Sequence, residues 1–229
     1  GRAGSTPGMT ELLGLALLGA WVTLDGVTVG QFMVSRPLVA SGLAGLWLGD
    51  PATGFLVGAV LELFLLVAVP SGAGRFPEPG PAAVVGAAAA VWASGPAGLA
   101  LGVGAALLMG YAGALSQAVQ RHLNERWVPD PAVGPVTERA IVRGHWSSLA
   151  LDALRGFLLS AVGLLAVRAA APWASGAWPL DAAATRGLLL VGAFVSLGIL
   201  GRSLAARHRW IYLAVGAVVG LAVGAVWGG

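Results

Sequence analysis

The sequence predicts an all-α, polytopic membrane protein, with broken or re-entrant helices in its amino-terminal half and ordinary transmembrane helices after it. Of its 229 residues, 57% are hydrophobic and only 10% are charged, whereas a soluble domain carries about 25% charged residues. Its 36 glycines are typical of membrane helices, where glycine lets two backbones approach closely. Ionisable residues and prolines interrupt the first apolar segments, which is the pattern of broken helices around a binding site.

Composition also excludes several functions. The net charge is +3, but the arginines stand singly or in pairs at segment ends and form no basic stripe, so nucleic acid is not an expected partner. The chain has no cysteine and three isolated histidines, so we expect no metal site, no cofactor and no catalytic residue of its own.

The chain divides into two unequal parts. Residues 1–8 are expected to be a leftover tag or a disordered start. Residues 9–229 are expected to form a single integral-membrane transport domain. Within it, residues 9–81 form the broken-helix region that contains the site, and residues 82–229 form a helical bundle with a cytoplasmic loop at about residues 120–145.

The early apolar segments cover residues 12–24, 37–48 and 54–70. Each is short or interrupted, compared with the roughly 20 apolar residues that a straight span requires. The first is predicted to be a retained membrane segment and not a cleaved signal peptide. Residues 70–81 contain four prolines and three glycines, so they are predicted to form a loop, with a re-entrant course as one alternative.

The later segments are predicted to be ordinary spans, with a kink or turn at Pro96 between the first two. They cover residues 82–94, 97–119, 146–168, 187–205 and 210–227. Seven arginines lie in two loops: Arg121, Arg126, Arg139, Arg143, Arg202, Arg207 and Arg209. An even number of spans separates these loops, so both lie on one side of the membrane, which the positive-inside rule predicts to be cytoplasmic.

Ionisable residues inside the apolar segments are the candidate site, because a charge at the centre of a membrane helix costs about 2.5–3.5 kcal/mol. Glu62 either forms a structural ion pair with Arg36 or accepts hydrogen bonds from a polar substrate. Asp25 and Gln31 supply the carboxylate and amide that sugar recognition needs, or they belong to an ordinary turn. Arg36 precedes Pro37 at a helix start and could instead extend to the membrane interface.

A second polar group is predicted on one face of a later helix. Asp152 and Arg155 are three residues apart and can neutralise each other, which makes a structural pair the default interpretation. Ser148 lies one turn before Asp152, so Ser148, Asp152 and Arg155 could line a cavity, with His145 at its edge. Asp50 is predicted to be an interfacial helix cap and not a ligand.

An ordered set of residues runs through positions 20–80, and a second set follows near residue 150. The first contains Leu24-Asp25, Arg36-Pro37-Leu38-Val39-Ala40, Gly45, Leu48-Gly49-Asp50, Thr53-Gly54, Gly58 and Leu61-Glu62-Leu63; the second contains His145-Trp146-Ser147-Ser148-Leu149 and Leu154-Arg155. This pattern resembles the IIC membrane subunit of the mannose/fructose/sorbose family of the bacterial phosphotransferase system.

The resemblance implies a sugar-transport subunit of the bacterial inner membrane. Such a subunit works with a IID membrane subunit and with soluble IIA and IIB phosphocarrier proteins, as a trimer of IIC–IID pairs, and it carries no phosphohistidine itself. Carried over residue by residue, the positions expected to bind a hexose-like sugar are Asp25, Gln31, Arg36 and Glu62, together with Glu78 in the proline-rich loop. Two alternatives stay open: a divergent regulatory or assembly member without transport, and a stand-alone small-solute transporter.

Overall fold

The computed structural model describes residues 8–66, 75–132, 134–203, 210–211 and 214–218. Its helices are α1 (Met9–Val27), α2 (Pro37–Leu48), α3 (Pro51–Leu65), α4 (Pro79–Ala93), α5 (Gly95–Asn124), α6 (Glu138–Ala177) and α7 (Ala182–Ser203), with a 3-10 helix at Glu125–Trp127. The predicted last span, residues 210–227, lies mostly outside the described residues.

Four of these segments are long and apolar enough to cross a membrane: α1, Gly95–Trp127, α6 and Ala182–Ile199. The predicted all-α membrane fold is therefore confirmed, and α2 and α3 are short apolar helices, as the sequence predicted for its amino-terminal half. The prediction for residues 82–94 was wrong, because α4 is also one of the shorter apolar helices and not a full-length span. A second expectation was also wrong. The first segment is not too short, because α1 has 19 residues and includes polar positions on both sides of the apolar run 12–24.

The helices α2 and α3 form a tight hairpin. Pro37 occupies the first turn of α2, and Gly49 ends that helix with φ of 78°, a left-handed conformation that glycine adopts without strain. Asp50 then caps α3 by accepting a hydrogen bond from the Thr53 amide at 3.1 Å, which confirms its predicted role. A Cβ on Gly45 would lie 2.8 Å from the Gly54 Cα atom, so the two backbones touch.

The short helix α4 forms the centre of the bundle. Nearly all of its residues are buried, and most of them are alanine, valine or glycine. Gly86 and Gly102 allow α4 and α5 to pack closely, because a Cβ on either would come within 2.8 Å of the other's carbonyl oxygen. Small side chains give this apolar segment a buried position that a bulkier sequence could not reach.

The helices α1 and α6 pack antiparallel. Gly19 of α1 lies against Ser160 of α6, and further along α1 Thr23 lies against Gly156, which comes earlier in α6. This register places the end of α1 beside the region of α6 near residue 152.

Several helix boundaries lie beyond their predicted positions. The loop predicted over residues 120–145 is shorter in the structure, because α5 continues to Asn124 and α6 begins at Glu138. The predicted loop 70–81 is helical from Pro79 onward, and residues 67–74 lie outside the described residues. The apolar runs mark only the hydrocarbon thickness, while helices continue into water where caps support them; the Thr137 side chain caps α6 by accepting from the Ala140 amide at 3.3 Å.

Candidate functional site

Two groups of polar side chains lie within the helical bundle. The first, the hairpin pair, consists of Arg36 and Glu62 at the open end of the α2–α3 hairpin. The second, the buried cluster, consists of Thr28, Glu78, Ser116, Asp152 and Arg155. Both contain charged residues that the sequence predicted as site positions.

The hairpin pair joins the start of α2 to the end of α3. The Arg36 guanidinium forms an ion pair with Glu62, and their side chains are 55% and 23% exposed. The Leu38 amide donates a hydrogen bond to the same carboxylate at 3.3 Å. The Arg36–Glu62 ion pair, which was one of two alternatives predicted from the sequence, is thus confirmed. Both side chains remain partly accessible at the surface of the chain.

We expect the hairpin pair to lie deep within the membrane. The turn at Gly49–Asp50 is at the same end of the bundle as the α4–α5 turn and the start of α7, because Thr53, Pro96 and Thr185 line a common cleft. Glu62 follows Asp50 by twelve positions in the helical hairpin, which is about 18 Å of helix. In a hydrocarbon core of about 30 Å, this distance puts the pair near the middle.

The segment 28–36 between α1 and α2 is held by Asp25. Its carboxylate accepts hydrogen bonds from the Phe32 amide at 2.7 Å and from the Ser35 amide at 2.8 Å, and the side chain is 3% exposed. Gln31 lies in this segment with φ of 52°, and its side chain is exposed. Asp25 therefore fixes the segment that presents Gln31 and leads into Arg36.

Arg155 organises the buried cluster. Its two terminal nitrogens donate to the two carboxylate oxygens of Glu78, at 2.6 and 2.9 Å, the fork geometry that gives the strongest arginine pairing. The same guanidinium donates to Asp152 at 2.9 Å and to the Ser116 hydroxyl at 3.0 Å. The Arg155 and Glu78 side chains are 9% and 7% exposed.

The cluster joins four separate parts of the chain. Glu78 precedes α4, Ser116 lies on α5, and Asp152 and Arg155 lie on α6. Thr28, just after α1, donates its hydroxyl hydrogen to Asp152. Two carboxylates surround one guanidinium, so the hydrogen bond from the Thr28 hydroxyl to Asp152 supplies part of the stabilisation that the second negative charge needs.

The structure brings together some predicted residues and separates others. The Asp152–Arg155 pair is confirmed, and Glu78 joins it. His145 is exposed, and its ring lies edge-on to the adjacent Trp146 ring, at 6.0 Å between centroids. Ser148 is partly buried, and neither residue appears in the hydrogen bonds of the buried cluster. The substrate-binding and cavity-lining roles of all these residues remain predictions.

Sequence reasoning missed Thr28 and Ser116. It also missed the pairing of Glu78 with Arg155, which are 77 positions apart. No periodicity relates residues that far apart. The only available signal was charge balance, because two acidic candidates and one arginine needed partners inside the membrane.

Membrane-spanning helices, a short helical hairpin and charged side chains between them define a multi-pass membrane protein. The chain belongs to the family described as the sorbose-specific IIC component of the phosphotransferase system, whose profile matches residues 9–226. The resemblance predicted from the sequence is confirmed.

Curated relatives of this chain include two kinds of phosphotransferase component. It is 30% identical over 172 residues to the sorbose-specific EIIC component of Klebsiella pneumoniae, covering 74% of this chain and 64% of that protein. It is 27% identical over 155 residues to the mannose-specific EIIC component of Escherichia coli K12, covering 67% of this chain and 58% of that protein. The matched region thus spans less than two thirds of either relative.

Solved structures support the fold. A chain described only as a membrane protein matches with a TM-score of 0.71 and 23% identity, over 96% of this chain and 92% of that one. A chain from the complex of the mannose transporter ManYZ with microcin E492 matches with a TM-score of 0.60 and 24% identity, over 93% of this chain and 87% of that one.

Proposed function

We propose that this protein is the sugar-translocating IIC subunit of a phosphoenolpyruvate-dependent phosphotransferase system. It works with a IID membrane subunit and with soluble IIA and IIB proteins, in a trimer of IIC–IID pairs, and its substrate is a hexose-like sugar. The observation that carries the proposal is the family match, which extends over residues 9–226 and so includes both polar groups.

Exposure of the hairpin pair supports a partner and an aqueous path. Arg36 is 55% exposed at a depth where lipid contact would cost an ionised side chain about 2.5–3.5 kcal/mol. Neighbouring Phe32 and Met33 are also exposed, at 78% and 68%. A second membrane subunit that covers this surface, with a polar path between the two, would remove the cost of leaving the pair in lipid.

We assign sugar contact to Gln31, Arg36 and Glu62. Their amide, guanidinium and carboxylate groups provide donors and acceptors for sugar hydroxyls, and all three are at least partly exposed. Asp25 and Glu78 also belong to the proposed sugar path, but they are only 3% and 7% exposed, and their oxygens accept hydrogen bonds within the protein. They act by positioning the segment before α2 and the start of α4.

Orientation follows from the arginines. The protein lies in the bacterial inner membrane with the α5–α6 loop on the cytoplasmic side, according to the positive-inside rule. Arg202, Arg207 and Arg209 support the same orientation from the sequence, although Arg207 and Arg209 lie outside the described residues.

The test is phosphoenolpyruvate-dependent uptake over a panel of hexoses, in vesicles that contain this chain with its IID, IIA and IIB partners. Glu62→Gln should reduce uptake at least a hundredfold, because it removes the anionic acceptor, while the membrane complex still co-purifies. Glu138→Gln, an equal change at the exposed start of α6, is the matched control and should transport normally.

Two outcomes would contradict the proposal. Sugar flux through the purified chain alone, in liposomes without phosphoenolpyruvate, would indicate a stand-alone transporter. A complex that assembles with its partners but takes up no sugar in the panel would indicate the regulatory or assembly member of the family.

A further inference from the structure

A cleft rich in arginine lies at the end of the bundle where α5 meets α6. It has a volume of about 560 Å³ and is lined by Arg126, Trp127, Val128, Pro129, Arg139, Ala140, Arg143 and Gly144. The lining contains three guanidinium groups and no carboxylate. The cleft is separate from both the hairpin pair and the buried cluster.

The base of the cleft is a close backbone contact. Gly144 of α6 is buried, and a Cβ there would lie 2.5 Å from the Trp127 carbonyl oxygen. The 3-10 helix that carries Arg126 is therefore packed directly against the helix that carries Arg139 and Arg143. This contact holds arginines from two different elements around one opening.

The charge of the cleft is not neutralised within the described residues. Arg126, Arg139 and Arg143 are exposed, and no salt bridge joins any of them to a carboxylate in that part of the chain. The nearby Glu125 pairs with His122 at 3.4 Å instead.

The axial position of the cleft places it near a membrane surface. The antiparallel register of α1 and α6 puts the end of α1 near residue 152 of α6. Arg143 lies nine positions before that point, about 13 Å further along the helix axis, and Arg139 lies about 20 Å further. This position lies near a membrane surface, within reach of both a soluble molecule and a lipid headgroup.

We propose that this cleft binds a phosphate group on the side of the membrane where the α5–α6 loop lies. Guanidinium groups bind phosphate oxygens through paired, charge-assisted hydrogen bonds, and three arginines line this cleft. Trp127 and Val128 provide an apolar wall beside the phosphate site, which suits the non-phosphate part of a small ester.

The experiment measures binding of inorganic phosphate and of glucose 6-phosphate to the purified full chain by calorimetry. Each arginine should contribute about tenfold in affinity, which is about 1.4 kcal/mol. The triple variant Arg126→Gln, Arg139→Gln, Arg143→Gln should therefore lose at least a hundredfold. Arg186→Gln, an equal charge change at the opposite end of the bundle, should bind both compounds normally.

A second part of the experiment distinguishes a soluble phosphate ester from a lipid headgroup as the source of the phosphate group. The titrations are repeated in nanodiscs of phosphatidylcholine alone and with added phosphatidylglycerol. Unchanged affinity identifies the soluble ester as the ligand, whereas competition by phosphatidylglycerol that disappears in the triple variant identifies a lipid headgroup.

The proposal fails if neither compound binds, or if the triple variant binds as tightly as the native chain while its thermal unfolding is unchanged. It also fails if the triple variant keeps phosphate binding but no longer associates with a soluble partner subunit, because the arginines would then dock a protein. None of these results depends on sugar uptake, so they leave the proposed transport function to its own test.

Discussion

Arg36 and Arg155 both bind a glutamate, but their side chains are 55% and 9% exposed. Arg36 has one acidic partner at the edge of a hairpin. Arg155 has two acidic partners, Glu78 and Asp152, and it also donates to the Ser116 hydroxyl. The Thr28 hydroxyl in turn donates to Asp152. The comparison separates two uses of charge in one membrane protein: the buried cluster holds segments together, whereas the hairpin pair remains available to a ligand or a partner.

The largest effect is expected from breaking the buried cluster. Arg155→Met leaves Glu78 and Asp152 without their cation, and breaking such a buried pair costs about 3–5 kcal/mol. Thermal and detergent-induced unfolding of the purified protein should show this loss. The triple variant Arg155→Met, Asp152→Leu, Glu78→Met should recover most of the stability, and no recovery would indicate that the cluster does more than hold segments together.

A smaller loss of stability is expected from disturbing the close packing of α2 on α3, which supports the hairpin pair. In Gly54→Ala, the new Cβ would lie 2.5 Å from the Ser41 carbonyl oxygen, so α2 and α3 must separate, at a cost of about 1–3 kcal/mol. Unfolding measurements should show this decrease. Gly198→Ala, where nothing lies within 4 Å, is the control, and equal behaviour of the two variants would argue against the close packing of α2 on α3.

The next largest loss of stability is expected from removing the helix cap of the same hairpin. Asp50→Ala removes the acceptor for the Thr53 amide and hydroxyl, and loss of a helix cap typically costs about 1 kcal/mol. Asp50→Ser keeps a capping oxygen and should recover most of the stability. Asp50 is expected to be a cap and not a ligand. Sugar uptake per folded protein molecule should therefore be unchanged in both variants.

The smallest change in stability is expected from the hairpin pair itself. Arg36→Met should alter the free energy of unfolding by less than about 1 kcal/mol, because exposed ion pairs contribute little. Its uptake should nevertheless be strongly reduced. A stability loss as large as that of Arg155→Met would remove the distinction between the two regions.

The sequence predicted the short helices and the charged candidates because their signals are local. Pro37 marks the start of α2, Gly49 and Asp50 mark the hairpin turn, and an apolar run surrounds Glu62. The ends of α5 and α6 could not be predicted in the same way. Hydropathy stops at the membrane edge, whereas the helix continues until a cap such as Thr137 is reached.

Partner choice was the other limit of sequence reasoning. The Asp152–Arg155 pair follows from their spacing on one helix, and Arg36–Glu62 was one of two alternatives for a charge inside the membrane. The bond between Glu78 and Arg155 depends on how α4, α5 and α6 pack, so it follows from tertiary structure. The role of Asp25 could not be predicted from the sequence either, because the two amides that donate to it lie in an irregular segment.

Direct contact between the backbones of α2 and α3 has an electrical consequence. The hairpin holds a positive and a negative group at its open end, so any movement of that end through the bilayer transfers no net charge from Arg36 and Glu62. A lone carboxylate there would gain or lose about 2.3 kcal/mol for every 100 mV that it crossed. The membrane voltage would therefore do almost no work on the Arg36–Glu62 pair, whichever way it moves.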